Sequence, residues 1–153
     1  YDVCILMDSD LPEEDELKKN LLQNGVPIFD WETPNAFEEQ VFLDVPTDLA
    51  TKIVRIAVAE HGIDSVESRL SGNIPFEICD EEIQLSAMNP EDRKNLGTIA
   101  KKKKVEWYKR IDLGELLGNV IFENWNCIDE KTRLKVIVDA LTKWVVDSDS
   151  GGN

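Results

Sequence analysis

The chain has 153 residues, of which 42% are hydrophobic and 31% charged, as in an ordinary globular domain rather than a disordered segment. No apolar stretch reaches the roughly 18 to 20 residues of a membrane-spanning helix, so no membrane partner is expected. The formal net charge of −14 disfavours tight nucleic-acid binding by these residues alone, because such proteins neutralise phosphates with Lys or Arg. Metal ions at a carboxylate cluster, or basic surface on other polypeptide, would remove that objection.

The three cysteines and the first residue bear on location and completeness. Cys4, Cys79 and Cys127 are isolated and show no CxxC spacing. We therefore expect free thiols, two of them buried, in a reducing cytosol. No secretory signal is visible, and because the sequence begins with Tyr1, we expect it to be a piece of a longer polypeptide.

The first thirty residues have the pattern of a βαβ unit. The apolar run at residues 1–7 predicts a short buried strand, and VPIFDW at residues 26–31 predicts a second. Between them, Leu11-Pro12 predicts the start of a helix and Asn24-Gly25 its end. The apolar stripe of this helix comprises Leu17, Leu21 and Leu22. Strands joined in this way pair in parallel.

The rest of the chain is expected to be mainly helical. Helices are predicted at residues 35–43, 47–60, 90–104, 106–120 and 129–146, with a short strand at residues 74–78. The run of four lysines, residues 101–104, would lie at the C-terminal end of the third of these helices.

Two aspartates, Asp8 and Asp10, follow the first predicted strand with only Ser9 between them. In open α/β sheets, ligands bind at the carboxyl ends of the strands. Two neighbouring carboxylates repel each other unless a cation neutralises them, and Mg²⁺ prefers such oxygen ligands while keeping waters for a phosphate substrate. The pair therefore predicts a divalent-metal site. A solvated pair that caps a loop is the alternative.

An apolar strand followed by D-x-D is shared by three classes of metal-dependent enzyme: haloacid-dehalogenase phosphatases, sugar-nucleotide glycosyltransferases and TOPRIM nucleases. The phosphatases have Thr or Val two residues after the second aspartate, where this chain has Pro12. The glycosyltransferases carry the motif deep within a nucleotide-binding domain, whereas here it follows the first strand. These differences disfavour the phosphatase and the glycosyltransferase, but both remain alternatives.

The order of motifs resembles one family. DSD, a helix, VPIFDW and NAFEEQVF resemble the second half of the TOPRIM domain in the OLD (overcoming lysogenization defect) family of ATP-dependent nucleases. Further along, VEWYKRIDLGELLG is similar to the family's W-[FY]-K-R…GE-x-LG segment. The resemblance implies an α/β fold with a partial TOPRIM-like βαβ parallel sheet at residues 1–45. A mainly helical remainder of the same domain, 46–146, and a disordered tail, 147–153, would follow.

The resemblance also implies a set of site residues. Asp8, Asp10 and Glu38 would bind two Mg²⁺ or Mn²⁺ ions, with Glu39 as the neighbouring fallback for Glu38. Lys109 would lie beside the metals and neutralise charge on the phosphate. The implied catalytic residues are thus Asp8, Glu38 and Lys109.

Each of these residues has a structural alternative. Glu38 stands three residues after Asn35, the spacing of a helix capping box. Lys109 could be a solvated lysine beside Trp107. The lysine run at 101–104 could be a solvated helix end favoured by the helix dipole, or a patch that contacts phosphates.

The function implied by the resemblance is metal-dependent hydrolysis of DNA phosphodiester bonds by a bacterial cytoplasmic endonuclease with a role in defence against phage. ATP would bind an ATPase domain outside this chain, and the whole protein would form a homo-oligomer or a larger defence complex. The family's first metal-binding glutamates precede the DxD strand, so we expect this chain to be inactive alone. The alternative from another class is a non-catalytic TOPRIM-like domain for assembly or regulation, which the net charge of −14 would suit.

Overall fold

The computed structural model describes residues 3–10 and 14–150, with side chains as far as residue 147. The fold is mixed α/β and mainly helical. In chain order its elements are β1 (Ile5–Met7), α1 (Asp15–Gln23), β2 (Ile28–Asp30), α2 (Phe37–Asp44), α3 (Thr47–His61), α4 (Ile63–Leu70), β3 (Phe76–Cys79), β4 (Glu82–Leu85), α5 (Pro90–Lys101), α6 (Ile111–Glu123), a 3₁₀ turn (Trp125–Cys127) and α7 (Arg133–Ser150).

The predicted βαβ unit is confirmed. β1 and β2 pair in parallel, with Ile5 opposite Ile28 and Met7 opposite Asp30. The connecting helix α1 ends before Gly25, whose φ of 76° lies in the left-handed region that glycine adopts without a steric cost. The expected helix start at Leu11-Pro12 lies outside the described residues.

The expected burial of this unit is wrong. Leu6 on β1 is 46% exposed, and on α1 Leu17 and Leu22, two of the three predicted stripe residues, are 52% and 59% exposed. Parallel strands are buried on both faces when neighbouring strands and helices cover them. Among the described residues this sheet has only two strands, so much of its apolar surface stays open.

Several boundaries in the second half differ from the predictions. The region between α3 and α5 forms α4 and an antiparallel hairpin of β3 and β4, where one short strand was expected. Helix α5 ends at Lys101, so the other three lysines of the run follow it. The helix expected from residue 106 begins at Ile111, which leaves Trp107 to Lys109 in a loop. Helix α7 continues to Ser150, past the expected end at residue 146.

A hydrophobic core joins the βαβ unit to the helices that follow. Trp31 and Phe42 from the first part pack in one cluster with Ile53 of α3 and Trp107, which is fully buried. The hydroxyl of Tyr108 donates to the carbonyl of Ile53 at 3.0 Å, and burial raises the pKa of Tyr108 well above its usual value. This anchor fixes the loop immediately before Lys109.

Helices α2 and α5 are held together at the end of α2 by Arg93. Its guanidinium donates to the carbonyls of Phe42 and Val45, and to the hydroxyl of Thr47 at 3.0 Å. The carbonyls at a helix C-terminus lack intrahelical partners and carry partial negative charge, so a cation is favourable there.

Gly97, one turn after Arg93 on α5, marks the closest approach of these two helices. A Cβ atom built at Gly97 would lie 2.4 Å from the Cα of Glu39 and 3.0 Å from the carbonyl oxygen of Glu38. Only glycine fits this contact. The backbone of α2 that carries both glutamates is therefore positioned directly against α5.

The cysteine prediction is half right. All three thiols are free, but Cys79 and Cys127 are exposed and Cys4 is half-buried, so two buried thiols are not found. Within the described part of the chain, none of the helices combines the length and apolar character needed to cross a bilayer.

Candidate functional site

The four residues expected at the site line one open pocket of about 1020 Å³. Asp8 and Asp10 reach it from the segment after β1, Glu38 from the first turn of α2, and Lys109 from the loop before α6. The fold thus brings together side chains that are up to a hundred residues apart in the sequence. The remaining lining residues are Ala36, Ser68, Arg69, Asn73, Asn95, Thr98, Ile99, Lys101, Lys102, Lys103 and Val105.

Asp8 is held by the N-terminus of α2. Its Oδ1 accepts a hydrogen bond from the backbone N–H of Phe37 at 2.9 Å. The next residue, Ser9, is buried, and its N–H donates to the carbonyl of Asn35 at 3.1 Å. Free N–H groups and the helix dipole favour an anion at this position. The first aspartate is therefore positioned by the helix that follows β2.

Glu38 is buried and faces Asp8. Burial raises the pKa of Glu38, and the charge of Asp8 raises it further, while Lys109 and Lys101 act in the opposite direction. Within the described part of the chain, Glu38 forms no ion pair. This carboxylate is thus desolvated, close to a second carboxylate, and not neutralised by a direct contact.

Glu39, rather than Glu38, caps the helix. Its Oε2 accepts from the N–H of Ala36, the residue before α2, at 3.0 Å, and its Oε1 accepts from the hydroxyl of Thr98 at 2.8 Å. Burial alone would raise the pKa of Glu39, but hydrogen bonds from Lys101, Ala36 and Thr98 outweigh it, so the pKa is lowered. The capping alternative suggested for Glu38 is therefore wrong, because the helix begins one residue later than that spacing assumes.

The sequence did not identify the role of Lys101. Its Nζ lies 2.8 Å from Glu39 Oε2 and 3.0 Å from Asp10 Oδ2, and so bridges the two carboxylates. Burial acts to lower the pKa of Lys101, but the hydrogen bonds to Glu39 and Asp10 outweigh it, and the pKa is raised. The only available signal was helical spacing, which puts Lys101 one turn after Gly97 on the face of α5 that packs on α2.

The described carboxylates fit part of a metal shell. Asp8 and Glu38 offer oxygen atoms that form no ion pair with any described cationic side chain, whereas Asp10 is neutralised by Lys101. Across residues 3–10 and 14–147, no set of three or more His, Cys, Asp or Glu side chains is arranged to hold a metal ion. Two carboxylates alone leave most positions of a six-coordinate Mg²⁺ to water or to other groups.

Lys109 is exposed at the rim of the pocket. Its Nζ lies 3.1 Å from Glu106 Oε1, and this contact raises the pKa of Lys109, with smaller contributions from Glu38 and Asp8. Lys109 is thus a largely exposed cation near Glu38 and Asp8, and its exposure also agrees with the alternative of a solvated lysine.

Comparisons with known proteins give no assignment. A scan of protein-family models, a search of curated proteins and a search of solved structures each returned no match to this chain.

Proposed function

We propose that this chain carries part of the active site of a divalent-metal-dependent nuclease, with a TOPRIM-like arrangement of the kind used by OLD-family ATP-dependent endonucleases. The observation that carries the proposal is the meeting of Asp8 and Glu38 in one pocket with Lys109 at its rim. These are residues that the motif order picks out for metal and phosphate. Their side chains come from three separate parts of the fold.

The chemistry follows from these groups. A bound Mg²⁺ or Mn²⁺ ion polarises a phosphate and lowers the pKa of a coordinated water. Asp8 and Glu38 would hold such an ion. Lys109 would neutralise negative charge that develops on the phosphate in the transition state, provided that it exchanges Glu106 for the substrate. Asp10, in this arrangement, is tied to Lys101 and would act on the metal through water or after losing that pair.

The whole site needs more than these residues. We propose that carboxylates outside this chain complete the metal shell, in a whole protein that also has an ATPase domain binding ATP. DNA as substrate, a homo-oligomeric or larger assembly, the bacterial cytoplasm and a role in phage defence belong to the same proposal. They rest on the motif order alone.

A second candidate is a non-catalytic domain for assembly or regulation. The pair of Lys101 with Glu39 and Asp10 favours it, because a lysine that neutralises two carboxylates is also a structural link between α5, α2 and the segment after β1. In that case the pocket would bind no metal, and its acidic residues would serve the fold.

Nicking of supercoiled plasmid by the whole protein separates the two candidates. With Mn²⁺ present, Asp8→Asn is expected to lower the nicking rate roughly tenfold or more, because the metal loses a charged ligand. The matched control is Asp139→Asn, which neutralises an exposed aspartate of α7. If Asp8→Asn nicks at the wild-type rate, Asp8 is not a ligand. Hydrolysis of small phosphate esters or sugar nucleotides instead of plasmid would indicate a phosphatase or glycosyltransferase.

A further inference from the structure

The pocket also has a basic wall, formed by Arg69 at the end of α4 and by Lys102 and Lys103 just after α5. Arg69 was not singled out in the sequence, whereas Lys102 and Lys103 belong to the lysine run for which a patch that contacts phosphates was one of the two alternatives. Two helices that are adjacent in the fold deliver them to the same pocket as Asp8 and Glu38.

The charge balance in this pocket is the reverse of that in the chain. The sequence has 17 Lys and Arg against 31 Asp and Glu, yet the pocket is lined by five cationic side chains and only three acidic ones. The local excess of positive charge therefore indicates an anionic partner at this place.

The three side chains of the basic wall also have no charged partner among the residues that the structure describes. Lys101 and Lys109, the other two cations of the pocket, are ion-paired with carboxylates. By contrast, the side chains of Arg69, Lys102 and Lys103 form no ion pair and no hydrogen bond with any residue of the described ranges 3–10 and 14–147; Arg69 accepts one from Asn73 only through its backbone carbonyl. An incoming phosphate would not have to displace an internal carboxylate from them.

We infer that the basic wall binds the phosphodiester backbone of a nucleic-acid strand and holds it across the pocket beside Asp8 and Glu38. This inference rests on the proposed function and deepens it by locating the substrate. The pocket is open, and its volume lies at the upper end of the range of small-molecule sites, which suits a strand that passes through rather than an enclosed ligand. Asn95 adds a neutral side-chain amide to the same lining, whereas the amide of Asn73 already donates to the backbone carbonyls of Arg69 and Ser71.

A simpler interpretation is that the lysines are solvated side chains at a helix end, since cations are favourable at the C-terminus of α5. Lys104 distinguishes a solvated helix end from a surface that binds nucleic acid. It belongs to the same run at the same helix end, but it does not line the pocket. If the helix end alone explains the lysines, Lys104 should matter for nucleic acid as much as its neighbours do.

The test compares two triple variants that remove the same charge. One is Arg69→Gln, Lys102→Gln, Lys103→Gln; the control is Lys94→Gln, Lys104→Gln, Lys143→Gln, at exposed positions that do not line the pocket. Binding of labelled single-stranded DNA, duplex DNA and RNA is measured by fluorescence anisotropy over a salt series with EDTA present. Circular dichroism checks that both variants are folded.

We expect the wall variant to bind the preferred nucleic acid roughly tenfold or more weakly than wild type at low salt. Its log–log salt slope should be shallower by about 2, since each lost contact to a single strand contributes about 0.7. The control triple should stay within about threefold of wild type. The inference would be overturned if both variants lost affinity equally, or if the wall variant lost none. It would also be overturned if a mononucleotide competed as strongly as the oligonucleotide. Because binding is measured in EDTA, it does not depend on the metal. Binding as expected together with no nicking in Mn²⁺ would contradict the proposed function but not the inference about the basic wall.

Discussion

Replacement of Gly97 by alanine is expected to lower the free energy of unfolding by about 2 kcal/mol. The new Cβ would stand 2.4 Å from the Cα of Glu39, and backbone cannot move aside as the end of a flexible side chain can. Overpacking of this kind costs about 1 to 3 kcal/mol or more, and alanine's better helix propensity returns up to about 1 kcal/mol. For a chain of this size the midpoint of thermal unfolding should fall by roughly 4 to 8 °C.

Gly118→Ala is the matched control for Gly97→Ala. Gly118 also lies within a helix, α6, but apart from its chain neighbours and the nearby backbone of α6 itself, a Cβ built there meets no described atom within 4 Å. Alanine at this position should raise the stability by up to about 1 kcal/mol, through helix propensity alone. Calorimetry of both variants gives the comparison. If Gly97→Ala is as stable as Gly118→Ala, the close contact between α5 and α2 is wrong.

Replacement of Lys101 by methionine is expected to cost about 2 kcal/mol of stability. It leaves the buried carboxylate of Glu39 without its cation, and Asp10 loses its ion pair as well. Breaking a fully buried pair costs about 3 to 5 kcal/mol, and the partial exposure of Lys101 reduces that figure. Lys94→Met on the same helix changes an exposed lysine in the same way and should have little effect.

The cost of Lys101→Met should depend on pH. The lowered pKa of Glu39 means that its stabilising charge is present above the ordinary value of 4.5 and is lost as the pH falls. The raised pKa of Lys101 means that its contribution is present below the ordinary value of 10.5 and is lost at higher pH. The stability difference from wild type, measured by urea unfolding, should therefore be largest between these limits. A difference that does not change below pH 4.5 would contradict the ion pair.

The local elements followed from the sequence where local signals are strong. The pairing of β1 with β2 and the extent of α3 agree with the pattern of apolar residues and of helix-ending glycines. The predicted helix boundaries were wrong where tertiary contacts determine them. Trp107 and Tyr108 were expected inside a helix, but both side chains are buried in the core, and helix α6 starts only at Ile111. Periodicity does not show which neighbour a large aromatic side chain will pack on.

The sequence motifs predicted which residues line the site, but not which of its charged side chains pair with one another. Asp8, Glu38 and Lys109 were identified from motif order, and the structure places them in one pocket. The distinct environments of Glu38 and Glu39 could not be read from two adjacent identical residues, because they depend on which one faces α5. The partners of Lys101 lie 62 and 91 residues away, so no local pattern distinguishes it from the lysines that follow.

The central claim is that Asp8 and Glu38 bind a divalent cation together, and paramagnetic broadening of backbone amide signals by Mn²⁺ tests it most directly. In the wild-type chain, low concentrations of Mn²⁺ should first broaden the backbone amide signals at the end of β1 and the start of α2. The double variant Asp8→Asn, Glu38→Gln should lose this selectivity, whereas the double variant Glu77→Gln, Asp139→Asn, at exposed positions elsewhere, should keep it. Unchanged broadening in the first variant, or broadening spread over the whole acidic surface of the wild type, would contradict the claim.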